Sequence, residues 1–190
     1  MSIIYACFSP DGKKIVTTSH DKLAKIWDVN SGKLQSDLAG HEGSVSHAIF
    51  TATGSLIVTT SYDNTVKIWE VATGKVKLNL IGHRSRVTNA AISPKGTKLF
   101  TVSDDGRIKI WDLTNAGKLL ASTSYKPAKQ EVQNILFSKD EKSINVIHTN
   151  GEVVSWLAPE GILDWLKTAK IDQLTDKDFE ELGLDFMIEE

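Results

Sequence analysis

TTSYDNTVKIWEVATGK, residues 59–75, repeats TTSHDKLAKIWDVNSGK, residues 17–33, with ten of seventeen positions identical. A third copy, TVSDDGRIKIWDLTNAGK at 101–118, holds the same frame with one residue inserted. Outward from these stretches, Trp27, Trp69 and Trp111 recur every 42 residues, and Trp156 follows after 45. Self-similarity at a period of this size sets the architecture before any local reading does. One supersecondary unit recurs, and each unit buries its apolar faces on its neighbours.

Each copy reads as four short strands split by turn signals. In the second copy these are 45–50, a Thr-Ala-Thr-Gly turn, 56–60, an Asp63-Asn64 turn, 66–69, an Ala-Thr-Gly turn, and 76–80. β-branched and aromatic residues fill the runs, while Gly, Asn, Asp and Pro punctuate them. The loops are too short for crossover helices, so neighbouring strands pair antiparallel. The first strands share an apolar pattern: Ile3-Ala6-Phe8, Val45-Ala48-Phe50, Val87-Ala90-Ile92 and Val132-Ile135-Phe137. Near-continuous apolarity predicts strands covered on both faces.

The fourth copy keeps strands near 132–137, 143–147 and 152–156, then meets Pro159 where a fourth strand should start. From there the apolar period turns helical, through Ile162, Leu163, Trp165, Leu166 and Ala169. Thr175 opens a capping-box-like stretch that Gly183 would end. The reading is therefore all-β: about four antiparallel blades (about 3–38, 45–80, 87–123 and 132–156) within residues 1–158, the last incomplete. A short, acidic α-helical tail, 159–190, follows and is expected to pack on the last blade through Trp165 and its apolar neighbours.

Composition sets the class. The 190 residues are 41% hydrophobic and 24% charged, as in an ordinary globular domain. The single cysteine, Cys7, excludes an internal disulfide framework. No apolar run approaches the ~20 residues that cross a bilayer, and MSIIYACF lacks the basic segment of a signal peptide. We expect a soluble, cytoplasmic protein without membrane association. Net charge is −2, but residues 1–159 carry 19 Lys/Arg against 14 Asp/Glu, and residues 160–190 carry 3 against 10. An acidic tail on a basic body suits intramolecular docking, an acidic interaction surface or a solvated helix. The basic excess is scattered and has no aromatic interleaving, so nucleic-acid binding finds no support.

The repeat resembles the WD-repeat β-propeller family over residues 3–156. Its signature Gly-His stands at Gly40-His41 and Gly82-His83, and its Trp-Asp at Trp27-Asp28 and Trp111-Asp112, with Trp69-Glu70 between. The resemblance implies a partial β-propeller with a hydrogen-bonded tetrad in each blade. Carried over by position, the tetrads are His41, Ser61, Asp63 and Trp69 in the second blade, and His83, Ser103, Asp105 and Trp111 in the third. The first blade has Ser19, Asp21 and Trp27 but no histidine. The fourth has Asn150 and Trp156, with His148 at the serine position and no Gly-His, so no tetrad is expected there. The indole N–H would donate to the hydroxyl, the hydroxyl to one imidazole nitrogen, and the other ring N–H to the carboxylate. Such a satisfied buried network rigidifies a sheet.

Ser61, His41 and Asp63 also have the residue types of a hydrolytic triad. The set recurs 42 residues on without a nucleophile-elbow sequence, so it is read as structural and no catalytic residue is assigned. The five histidines lack close ligand spacing, Cys7 is alone, and neither GxxxxGK[ST] nor GxGxxG occurs. No metal or cofactor is expected.

What remains is the loop face, where WD-repeat proteins commonly bind partner proteins or peptides. The exposed candidates are His20, Tyr62 and Asp104, just before the tetrad aspartates, and Glu42, Ser44, Arg84 and Arg86, beside the Gly-His loops. Tyr62, Arg84 and Arg86 come first, since Tyr and Arg anchor interfaces. A non-catalytic interaction scaffold is the expected function. The alternatives are a propeller enzyme using His47 and Asn89 near the axis, or a fragment without function of its own. Propellers have four or more blades, so three arrangements suit this chain: part of a larger propeller lacking N-terminal blades, a ring completed by a second copy, or an open four-blade body capped by its tail.

Overall fold

The computed structural model describes residues 2–124, 132–138, 140 and 142–157. The helical tail expected over 159–190 lies outside them. Fifteen strands make up the described residues, in four antiparallel meanders. The first sheet is β1 (Ile3–Phe8), β2 (Lys14–Ser19), β3 (Leu23–Asp28) and β4 (Leu34–Ala39). The second is β5 (Val45–Phe50), β6 (Leu56–Ser61), β7 (Thr65–Glu70) and β8 (Val76–Ile81). The third is β9 (Val87–Ile92), β10 (Lys98–Ser103), β11 (Arg107–Asp112) and β12 (Lys118–Ser124). The fourth has three strands among the described residues: β13 (Val132–Phe137), β14 (Ser143–His148) and β15 (Val153–Leu157).

The first strands pack side by side, β1 on β5, β5 on β9 and β9 on β13. That is the arrangement of a partial β-propeller, with the first strand of each blade innermost. Strand alternation sends successive side chains to opposite faces, so each middle sheet feeds two cores. Ile57 and Trp69 join Val16, Ala24, Ile26 and Leu38 of the first sheet. Val58, Val66 and Ile68, one residue out of phase, join Val87, Leu99 and Trp111 of the third. Phe100, Val102, Ile108 and Ile110 pack on Ile135, Ile144 and Val146 of the fourth. The apolarity of β5 and β9 follows from this double coverage, whereas β1 departs from the expectation, with Ile3 and Phe8 63% and 62% exposed because no sheet covers its other face among the described residues.

Each outer hairpin carries a register shift at its tryptophan, between Ile26 and Trp27, Ile68 and Trp69, and Ile110 and Trp111. A bulge of this kind bends the strand and re-aims the side chain beside it. The innermost hairpins shift too, at the repeat-equivalent residues Ile4, Ser46 and Thr88. The inserted residue of the third copy is taken up in the turn before β12, where Ala116 and Gly117 both have positive φ.

Candidate functional site

Two groups of polar residues gather at the loop end of the sheets: a buried network inside each blade and an exposed row above it. In the second sheet the Trp69 indole N–H donates to Thr59 Oγ1 at 2.7 Å, and Thr59 meets His41 Nε2 at 2.7 Å. His41 Nδ1 lies 2.8 Å from Asp63 Oδ2. The third sheet repeats this with Trp111, Thr101, His83 and Asp105 at 2.9, 2.8 and 2.9 Å. In the first sheet Trp27 donates to Thr17 at 2.9 Å.

The hydroxyl is therefore threonine, and the expected serines Ser19, Ser61 and Ser103 are corrected to Thr17, Thr59 and Thr101. The reason is reach. Trp69 stands opposite Ile57, and a strand rises ~3.3 Å per residue. Thr59, two residues along on the same face, is the diagonal neighbour of the indole. Ser61 is four along, roughly 13 Å away. The serines shape the turn instead: Ser19, Ser61 and Ser103 Oγ accept the backbone N–H of Asp21, Asp63 and Asp105. Ser103 also donates to Ser85 O at 3.0 Å. In the fourth sheet the hydroxyl position is filled by Val146, fully buried, so the chain of bonds has no middle link there.

The aspartates are fixed from two sides. Asp63 Oδ1 accepts from Thr65 N–H and hydroxyl, while Oδ2 accepts from Glu42 N–H as well as His41. Burial would raise the Asp63 pKa, but these bonds outweigh it and hold the carboxyl at about 2. Asp105 is held low in the same way, by Arg84 N–H and His83 against the effect of burial. Burial also lowers the pKa of His41 and His83, prevailing over the raising effect of their aspartates. The two close contacts are thus neutral imidazole donating to carboxylate, which suits Nε2 accepting the threonine hydroxyl. Thr59 and Thr101 have no solvent exposure. Buried and bonded on both sides, they hold the sheet together.

The two glycines of the Gly-His pairs have a packing reason. A Cβ on Gly40 would come within 3.2 Å of Trp69 Cη2, and one on Gly82 within 3.1 Å of Trp111 Cη2.

The exposed row follows a rule across blades. Tyr62 N–H donates to Ser44 O, and Asp104 N–H to Arg86 O, fastening each inter-blade loop to the turn of its own sheet. The side chains then reach to the preceding sheet. Ser44 Oγ lies 3.2 Å from His20 Nδ1, and the Arg86 guanidinium carbon lies 4.9 Å from the Tyr62 ring centroid. His20, Glu42, Tyr62, Arg84, Arg86 and Asp104 are exposed and Ser44 half-buried, so all seven sequence candidates lie on the turns and loops at this end.

His47 and Asn89, the axial polar residues, are buried. The His47 ring lies against Tyr5, centroids 4.1 Å apart, and its Nδ1 has no hydrogen-bond partner. Burial lowers its pKa to about 4. An open groove between the first two sheets, about 510 Å³ and lined by Lys14, Gln35, Ser36, Gly54, Ser55, Val71 and Ala72, contains one titratable group. No cluster of His, Cys, Asp and Glu fit for a metal ion occurs among the described residues.

Repeated sheets, inner strands side by side and a Trp-Thr-His-Asp network define a WD-repeat protein. The chain belongs to the family described as WD domain, G-beta repeat, whose model matches residues 2–28, 32–70 and 74–112, more than half of its length. It is similar to the general transcriptional corepressor TUP1 of Saccharomyces cerevisiae, 46% identical over 39 residues, which is 20% of this chain and 6% of that protein. It is also similar to an mRNA export factor of Danio rerio, 44% identical over 43 residues, 23% of this chain and 11% of that protein. The matches span a small part of either relative's length.

Proposed function

We propose that this chain is an interaction scaffold that binds a partner protein or peptide on its loop face. The Tyr62–Arg86 pair is the observation that carries this reading. An exposed tyrosine with a guanidinium 4.9 Å from its ring centroid forms a preorganised anchor of the kind that dominates interface energies. Arg84 is exposed on the same loop two residues before Arg86, and His20–Ser44 makes a cross-blade contact at the equivalent place one blade earlier. Beneath, the buried networks hold these loops rigid, so little ordering entropy opposes binding. The chemistry of the face is mixed, with Glu42 and Asp104 among the arginines, which suits a polypeptide with both charged and apolar groups. A cytoplasmic location is part of the same proposal, as is a role without catalysis.

Site-specific photo-crosslinking tests it. A crosslinker at position 62 is expected to give discrete adducts in cells, lost on Arg86→Ala, while one at Lys77 on β8 gives none. Equal labelling from both positions would remove the loop face from consideration.

A further inference from the structure

All three arginines of the chain, Arg84, Arg86 and Arg107, stand at the loop end of the third blade. The other 19 of its 22 basic residues are lysines, spread over the whole sequence. Arg84 and Arg86 lie in the loop between β8 and β9, and Arg107 opens β11. One turn brings their backbones together. Asp105 Oδ2 accepts the Arg84 N–H at 2.8 Å, and Asp105 Oδ1 accepts the Arg107 N–H at 3.0 Å. Beside them the Asp104 N–H donates to Arg86 O at 2.9 Å. Three exposed arginines therefore leave one rigid frame, supplied by two separate segments.

The frame does not call for arginine. The second blade builds it from the same main-chain donors: Glu42 N–H to Asp63 Oδ2, Thr65 N–H to Asp63 Oδ1, and Tyr62 N–H to Ser44 O. Glu42, Ser44 and Thr65 thus hold the places of Arg84, Arg86 and Arg107 one period earlier. The third blade has set three like charges where its neighbour folds without them, and like charges repel. Among the described residues no carboxylate oxygen lies within ion-pair distance of any of the three guanidiniums. Arg86 meets the Tyr62 ring instead.

We infer that this cluster is a docking site for an acidic polypeptide segment. Its carboxylates pair with Arg84, Arg86 and Arg107, and an apolar group beside them covers the Tyr62 ring. The inference rests on the loop-face reading and narrows its partner. A guanidinium fork binds a carboxylate through two parallel bonds and is more weakly hydrated than an ammonium, which gives arginine a use here that lysine would not serve. A phosphoryl dianion suits the place less, because Asp104 is exposed on the same turn and would repel it. Carboxylates spread along a chain can meet one arginine each. The loop face is mixed as a whole but divided by blade, with Glu42 on the second and the arginines on the third.

The test uses the purified whole chain and a fluorescein-labelled decapeptide alternating Glu with Leu, read by fluorescence anisotropy. Binding should weaken as salt is added. Arg84→Gln, Arg86→Gln and Arg107→Gln should each weaken it by up to about fivefold, the upper range for an exposed ion pair. Arg107→Lys should fall between the native chain and Arg107→Gln, since it keeps the charge without the fork. Lys33→Gln, which removes the same charge at the opposite end of the sheets, should leave the affinity in place. The unfolding midpoints of all these variants should match the native one, because main-chain bonds make the frame. No binding by the native chain, or equal binding by the triple glutamine variant, would overturn the inference. So would tighter binding of a phosphoserine peptide or an oligothymidylate of equal total charge. The loop-face reading is decided separately, by crosslinking from position 62.

Discussion

Thr59 Oγ1 lies 2.7 Å from both the Trp69 indole nitrogen and His41 Nε2, one buried hydroxyl joining the third strand of a blade to the loop that precedes its first. Removing it therefore orphans two groups at once. Thr59→Val keeps the shape and leaves a buried N–H and a buried ring nitrogen without partners, a cost of about 2–6 kcal/mol at 1–3 for each unsatisfied group. Ser61→Ala loses a single turn bond to Asp63 N–H, about 1 kcal/mol. Urea unfolding of the two variants measures the difference. If Ser61→Ala proved the more damaging, the hydroxyl role would return to the serine.

The repeat, the strands and the family were legible because a 42-residue period is a global signal that averages over local ambiguity. His41, Asp63 and Trp69 could be read directly, each marked by a dipeptide or a turn. The hydroxyl could not. Thr59 and Ser61 sit two apart on one strand and face the same way, so alternation does not separate them. Only the pairing of Trp69 with Ile57 decides which lies within reach. The Tyr62–Arg86 and His20–Ser44 contacts were half legible. The residues were chosen for exposure and chemistry, but their pairing across blades depends on how sheets stack, which no local pattern encodes.

Acid should weaken this fold before its carboxylates titrate. His41, His83 and His47 all have folded pKa values below the ordinary 6.5, in each case through burial. The unfolded chain thus takes up protons first as pH falls, and stability fully present above pH 6.5 is lost on the way down. For His47 the window runs from 6.5 to about 4, a loss on the order of 3 kcal/mol by the lower end. Asp63 adds a second loss between 3.8 and about 2. Unfolding midpoints measured from pH 8 to 4 should fall, and His47→Phe should flatten the slope by about one proton. A midpoint independent of pH above 4 would contradict the buried neutral state of these rings.

Thr18 is a defect that its neighbours explain. Its hydroxyl is buried without a partner, whereas Thr60, one period later, bonds Ser46 Oγ at 2.7 Å, and Ser46 donates to Val87 O. The first sheet has Ile4 where the second has Ser46. Thr18→Val should therefore be neutral or stabilising by up to about 1 kcal/mol, since it removes an unsatisfied group at constant shape. Thr60→Val should destabilise by a similar amount. The sign of the difference, read from paired denaturation curves, is the check.

Gly43 and Gly82 should respond to alanine unequally, because what stands in the way differs. At Gly82 the new methyl meets the Trp111 ring edge at 3.1 Å, and a ring edge can shift a few tenths of an ångström. At Gly43 it meets the backbone of the facing turn, Asp63 N at 2.7 Å and Tyr62 C at 3.0 Å. That turn is fixed by the bonds Asp63 makes to His41, Glu42 and Thr65, so relief requires breaking some of them. Gly82→Ala should cost about 1 kcal/mol and Gly43→Ala about 2–3, in the range of overpacked interiors. Gly43→Ala should also push Tyr62 away from Arg86 and weaken crosslinking from position 62, linking the buried network to the proposed binding face. Equal costs for the two variants, with crosslinking unchanged, would show that the second loop yields without disturbing the turn beneath it.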